Sequence, residues 1–439
     1  MKKSLLLLLL TILYAGLAMA QKDEKKTPAF GITVTGLIKT DFIYDSRQTE
    51  SLREGSLLFF PLGEKPDANG KDINAKPSFS FLTLQSKLTM NITGPDALGA
   101  KTSGMIEAEF FGNANTNLNV FRMRHGFIRL NWPKTELLIG QFWHPMYEVN
   151  CTPEVVSADA GLPFKVYARN PQIRITQQVG NFKFIGAAMS QIDFTSNGPD
   201  GASPKYLRNT TLPEVDFQFQ YLLKDEPGGI EFQVGSGVDF LVLTPLISSE
   251  VIVKKAYDTV INSVVFHHDA VKASYVTNTR IGAFSSNLFI KLKTIPVTAK
   301  AGCVFSQNGY GFSMIGGYAV KSITDSVHNF VDYADVSTLS VWADVATNGK
   351  TWQVALFGGF SRNLGAGTKV TGPFYSRGSN IDYLYRISPR VLLNAGKVRF
   401  AAEPEYTVAA YGKITGNGCV TQSKEVGNLR FLVGVYYFF

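Results

Sequence analysis

Apolar side chains recur at every second position along much of this chain. From 30 to 44 the even positions are Phe30, Ile32, Val34, Gly36, Ile38, Thr40, Phe42 and Tyr44, while Thr33, Thr35, Lys39 and Asp41 fall between them. Successive side chains of a strand point to opposite faces, so this pattern predicts a strand with one apolar and one polar face. The same reading places Leu82, Leu84, Leu88, Met90 and Ile92 on one face, opposite Thr83, Gln85, Lys87, Thr89 and Asn91. Val215, Phe217, Phe219 and Tyr221 alternate with Asp216, Gln218 and Gln220, and Leu339, Val341, Ala343 and Val345 with Ser340, Trp342 and Asp344. At the C-terminus, Leu429, Phe431, Val433, Val435, Tyr437 and Phe439 share a face. Apolar alternation up to a final aromatic, with no polar tail, has the form of the assembly signal of a membrane barrel.

The connections alternate as well. Short turns are predicted at 132–134, 225–229 and 348–349, and long polar loops at 46–77, 144–168, 195–212 and 364–380. Short turns at one end and long loops at the other describe an all-β transmembrane antiparallel β-barrel with short periplasmic turns and long external loops. A soluble β-sandwich also alternates, but it rarely carries so many strands this long in one domain. At about 26 residues per strand and connection, sixteen strands fit best and eighteen come next. The region 260–322 is hard to divide; Asn308-Gly309 reads as a hairpin tip or as part of a longer loop.

Composition agrees with this picture. The 439 residues are 45% hydrophobic and only 18% charged, yet no stretch after the N-terminus has the 18 apolar residues of a spanning helix. Three Cys are too few for a disulfide scaffold. The N-terminus has two lysines, a leucine run and Ala18-Met19-Ala20, which is the pattern of a secretory signal peptide over 1–20. Residues 21–29 then form a short periplasmic segment and 30–439 the barrel. The formal charge of +8 becomes about +6 without Lys2 and Lys3.

Three stretches carry a resemblance. Residues 121–130 contain Arg122-Met123-Arg124, 137–143 end in Gly140-Gln141-Phe142-Trp143, and 168–176 read Ala-Arg-Asn-Pro-Gln-Ile-Arg-Ile-Thr. With Pro153-Glu154-Val155-Val156 in the intervening loop, this region resembles the DcaP-like trimeric porins. A weaker likeness runs from Ser388-Pro389-Arg390 through Gly396-Lys397 and Glu405-Tyr406 to the end. Some members carry an N-terminal coiled coil, for which 21–29 is too short. The resemblance implies a homotrimer in the outer membrane of a Gram-negative bacterium that passes small, often anionic, solutes.

Residue by residue, the polar faces predict a basic pore wall. Arg122 and Arg124 share a face, as do Gln172 and Arg174; Arg169 stands where the long loop rejoins the wall, and Lys39 and Lys87 occupy polar faces of the first two strands. An arginine near mid-membrane on the lipid side costs about 2–4 kcal/mol, so these side chains belong to the lumen. Glu107 and Glu109 are expected beside Arg122 and Arg124, either neutralising them across strands or setting up a transverse field. The loop 144–168, with Glu148, Glu154 and Asp159, is the candidate constriction. Cys151 and Cys419 are a possible disulfide, both expected in external loops, and Cys303 is expected to face outward, unpaired. His125 is expected opposite Arg122 and Arg124.

The expected function is passive diffusion of small hydrophilic solutes through a water-filled pore favouring anions. The alternatives are a channel selective for one anion or sugar class, or a structural or adhesive barrel closed by its loops. Expected partners are outer-membrane lipid and lipopolysaccharide, with no nucleic acid. Nothing in the sequence supplies energy or chemistry: no Ser motif accompanies a His, no P-loop or dinucleotide fingerprint occurs, and His267-His268 lack ligand spacing. No enzyme activity, cofactor or metal site is therefore expected.

Overall fold

The computed structural model describes residues 30–112, 115–225 and 228–439. The expected signal peptide at 1–20 and the segment 21–29 lie outside the described residues. The wall is one closed antiparallel sheet of sixteen strands. They are β1 (Gly31–Asp45), β2 in two pieces (Ser78–Leu82 and Lys87–Thr93), β3 (Lys101–Glu109), β4 (Arg122–Asn131), β5 (Thr135–Trp143), β6 (Arg169–Val179), β7 (Phe182–Met189) and β8 (Glu214–Asp225). The second half is β9 (Ile230–Leu243), β10 (Ile281–Lys293), β11 (Val297–Ser306), β12 (Phe330–Thr347), β13 (Trp352–Gly365), β14 (Ile381–Ala395), β15 (Val398–Ile414) and β16 (Val420–Phe438). Every strand pairs with its chain neighbours, and β1 closes the ring on β16 in the register Leu37↔Phe438 to Asp45↔Arg430.

Long connections follow the odd strands from β1 to β13 and short ones follow the even strands, while β15 joins β16 by a short turn at 415–419. The undivided region resolves accordingly. Residues 244–280 form one long loop that carries its own hairpin, pairing Ser248–Lys254 with Val271–Val276 and Tyr257–Ile261 with Val264–His268. Asn308-Gly309 lies in the long loop between β11 and β12.

The apolar faces point outward. Ile32, Val34, Phe217, Phe219, Val341, Val345, Phe431 and Val433 are all exposed, as a lipid-facing belt requires. Their strand neighbours are buried and polar, including Asp216, Gln218, Ser340, Asp344 and Arg430.

Two faces depart from strict alternation. Asp41 pairs with Leu82, and Leu37 with Lys87, so residues 38–40 of β1 face residues 83–86 of β2, one more than they have. A one-residue insertion flips every later side chain. Phe79 and Phe81 therefore point outward with Leu88, Met90 and Ile92, while Leu82 and Leu84 turn into the core instead of sharing that face. On β4, the register slips between Glu107 and Ala108: His125 faces Glu107, but Met123 faces Ala108. That bulge brings His125 to the same side as Arg122 and Arg124, correcting the expected alternation. Its Nε2 is 3.8 Å from Glu107, and its ring packs 5.4 Å from Trp143.

Candidate functional site

The loop 144–168 lies inside the barrel. Its chain starts at His144, where β5 ends, and Leu162, Phe164 and Val166 are fully buried. Phe164 packs against Phe357 of β13, and a Cβ on the neighbouring wall residue Gly359 would stand 2.4 Å from the Phe164 ring. Glycine is thus what lets the loop seat against the wall. At the loop root, the Trp143 and Tyr147 rings stack at 3.8 Å and 7°.

The three loop acids reach three different parts of the wall. Glu148 accepts hydrogen bonds from Gln220 of β8 (2.7 Å) and Gln233 of β9 (3.3 Å). Glu154 pairs with Lys300 of β11 at 2.7 Å; crowding by the surrounding lumen alone would raise its pKa although its side chain stays exposed, but the Lys300 charge holds it below the ordinary value. Asp159 accepts from Arg386 of β14 at 2.8 Å. Further tethers run through the loop backbone. The Val156 and Ser157 amides donate to Glu403 of β15, and the Val156 carbonyl accepts from Lys39 Nζ (2.7 Å) and the Tyr436 hydroxyl (3.1 Å). Behind them, Arg390 clamps Asp344 and Arg430 clamps Asp45, each by two hydrogen bonds. Lys39 therefore belongs to the loop's anchorage and not to a shared basic patch with Lys87.

On the β2–β6 side, the basic residues form a ladder with carboxylates between the rungs. Asp193, in the loop after β7, accepts from Arg169 (2.7 Å) and Arg122 (2.8 Å) and lies 3.6 Å from Arg53. Arg122 also donates to Glu109 (2.9 Å), which accepts from Arg124 (2.9 Å); Arg124 lies 3.3 Å from Glu107, and so does Lys87. Glu107 and Glu109 thus pair across strands, as one of the two expectations had it. Burial disfavours ionised Asp193, but the charges of Arg169, Arg122 and Arg53 outweigh it and hold the carboxyl well below its ordinary range. Burial, aided by Arg122 and Arg169, lowers Arg53 to about 10 against the pull of Asp193. Pairing leaves an imbalance: Lys87, Arg53, Arg122, Arg124 and Arg169 face Glu107, Glu109 and Asp193. Gln172 and Arg174 stand apart, Arg174 donating to the Gln172 side chain and to the Trp143 carbonyl.

A cavity lies on each side of the inward loop. The one toward the long-loop end, about 820 Å³, is lined by Glu50, Glu64, Asp193, Arg377, Tyr310 and Tyr411 among others. The one toward the short-turn end, about 600 Å³, is lined by Lys87, Arg124, Lys291, Lys293 and Lys300 against one acid, Glu154. The ladder connects them, with Asp193 in the first and Arg124 and Lys87 in the second.

Cys151 and Cys419 are not joined. Cys151 is buried inside the barrel with Sγ against the Ile290 carbonyl (3.2 Å), and Cys419 stands in the turn after β15 with Sγ against the Leu364 carbonyl (3.3 Å). The inward course of 144–168 carries Cys151 away from the external turn. Cys303, on the side of β11 opposite buried Lys300, Val304 and Ser306, is also free.

Sequence reading missed Arg53 and Asp193, which come from loops and follow no period. It also missed the buried charges of β14–β16, although Arg386 and Arg390 share one alternating face, as do Glu403 and Glu405.

This barrel, with its outward apolar belt, polar interior and inward third long loop, has the architecture of the outer-membrane porins. The DcaP outer-membrane channel of Acinetobacter baumannii has the same fold, with a TM-score of 0.63 and 13% identity over 95% of this chain and all of that one. OmpT of Vibrio cholerae, an outer membrane protein, aligns at a TM-score of 0.50 and 10% identity over 94% of this chain and all of that one. A trimer form of OmpT gives 0.50 and 9% over the same shares. No family model and no curated protein matches the sequence.

Proposed function

We propose that this protein is an outer-membrane porin through which small hydrophilic solutes diffuse passively, with a preference for anions. The observation that carries this reading is the ladder running from one cavity to the other, in which cations outnumber carboxylates. Pore selectivity follows charge at close quarters, and Arg grips carboxylate or phosphate with two parallel hydrogen bonds. Pairing within the ladder weakens the field without cancelling it. The basic cavity at the short-turn end favours the same sign of solute. In this reading the loop 144–168 sets the constriction, with Glu154 as its one acid lining that cavity.

The likeness to DcaP and to OmpT, one form of which is a trimer, supports a homotrimer embedded among outer-membrane lipid and lipopolysaccharide. The test is reconstitution in planar bilayers under a KCl gradient. The zero-current potential is expected to take the sign of chloride preference; a potassium preference overturns the basic-wall reading. Absence of conductance steps from a folded trimer would favour a barrel closed by its loops.

A further inference from the structure

At the root of the inward loop a second charged group serves neither the ladder nor the anchorage. His144 Nε2 lies 3.4 Å from Glu214 Oε1 and 3.5 Å from Asp239 Oδ2. Asp216 stands directly opposite Asp239 in the β8–β9 register. All four residues are buried, none more than 1% exposed. Among the described residues, His144 Nε2, Asp239 Oδ2 and both Asp216 oxygens are buried with no hydrogen-bond partner. The neutral Gln191 amide, 3.4 Å from Glu214 Oε2, does not compensate a charge. Like charges directly opposite on a sheet repel, and buried ions without partners are costly.

The donor atoms of His144, Glu214 and Asp239 all lie within 4.8 Å of one another. Two ligands, each about 2.0–2.2 Å from one tetrahedral Zn²⁺, sit about 3.4 Å apart, the spacing His144 Nε2 already keeps to both carboxylates. The Met146 amide donates to His144 Nδ1 at 3.1 Å and so turns Nε2 toward the acids. Coordination through Nε2 moves the ring proton to Nδ1 and gives up that contact. A nitrogen in the set disfavours Ca²⁺ and Mg²⁺, which take oxygen ligands, and suits zinc-like ions.

We propose that His144, Glu214 and Asp239 bind one divalent transition cation, with Asp216 as an adjacent third carboxylate, stapling the loop root to β8 and β9. The sequence hid this site because its ligands come from three separated segments, and no metal was expected from spacing.

The test uses the full chain folded in detergent, stripped with a chelator and loaded with Zn²⁺. A background of His267→Ala with His268→Ala removes the exposed histidines, of which His267 lies beside Asp258 and Asp269. The expected result is one Zn²⁺ retained per chain, falling to near zero in Asp239→Asn and in Glu214→Gln, with heat-modifiable gel migration showing each barrel folded. Co²⁺ in the unsubstituted ligand set is expected to give the visible absorption of a tetrahedral nitrogen–oxygen site, a readout independent of any ligand variant. No retained Zn²⁺ in the folded background protein, retention unchanged in both carboxylate variants, or a colourless Co²⁺ form overturns the proposal.

Discussion

The barrel interior carries two charged networks of the same chemistry and opposite balance. On β2–β6, with Arg53 and Asp193 from the loops, cations exceed carboxylates. Around the adjoining wall, on β1 and β12–β16 with Asp159 from the inward loop, Lys39, Arg386, Arg390 and Arg430 face Asp41, Asp45, Asp159, Asp344, Glu403 and Glu405. The acids of the second network have other work: Asp159 belongs to the inward loop itself, and Glu403 accepts two of that loop's backbone amides. Excess carboxylate therefore holds a loop, and under the proposed function the excess guanidinium is what meets the solute. The ratio of the charges, more than their number, divides anchor from filter.

The largest effect is expected from the anchor. Arg386→Ala leaves Asp159 buried and unpaired, a loss of about 3–5 kcal/mol. Urea unfolding checks it, with single-channel recording expected to show noisier conductance as the loop loosens. A silent Arg386→Ala would mean that the loop's other tethers, at Glu403, Lys39 and Lys300, together with apolar packing keep it seated. A lipid-side reference comes next: Phe431→Arg places a charge on the outer face of β16 and should cost about 2–4 kcal/mol at mid-membrane depth.

Replacing both Arg122 and Arg124 by Ala leaves three cations against three acids in the ladder. Anion preference should fall to near parity in KCl reversal potentials while the barrel still folds; unchanged selectivity would move the filter to the lysines of the short-turn cavity.

The smallest effect is expected from pH. Asp193 has a lowered folded pKa, so its contribution to stability is complete above the ordinary carboxylate range and fades as pH falls through the folded value. The stability gap between Asp193→Asn and the parent should stay constant from pH 7 to about 5 and narrow only below about 4. Narrowing above pH 5 would show that the arginines do not hold that carboxyl.

The barrel class, sixteen strands, the outward faces of β1, β8, β12 and β16, and the inward-facing arginines were legible because alternation is a local property and lipid enforces it. The pairing of Arg122 and Arg124 with Glu107 and Glu109 was half legible, since strands consecutive in the chain pair side by side, while the long connection 110–121 leaves their register open. Faces failed at 83–86 and at His125, where one inserted residue reverses parity. Arg53, Asp193 and the free state of Cys151 were hidden because loop course is set by packing, here by Phe164 against Gly359, and no periodicity records it.

Closure of the ring has a consequence for biogenesis. The two strands that seal it are the first and the last of the wall, and the backbone amides and carbonyls of Gly36 and Phe439 bond each other across the seam. The seam thus joins segments about 400 residues apart in the chain. Until β16 arrives, β1 has an edge with no mate, and lipid offers it none. Closure of the ring therefore waits for β16, and the loop 144–168, enclosed by walls from both halves, has to be inside when the seam shuts.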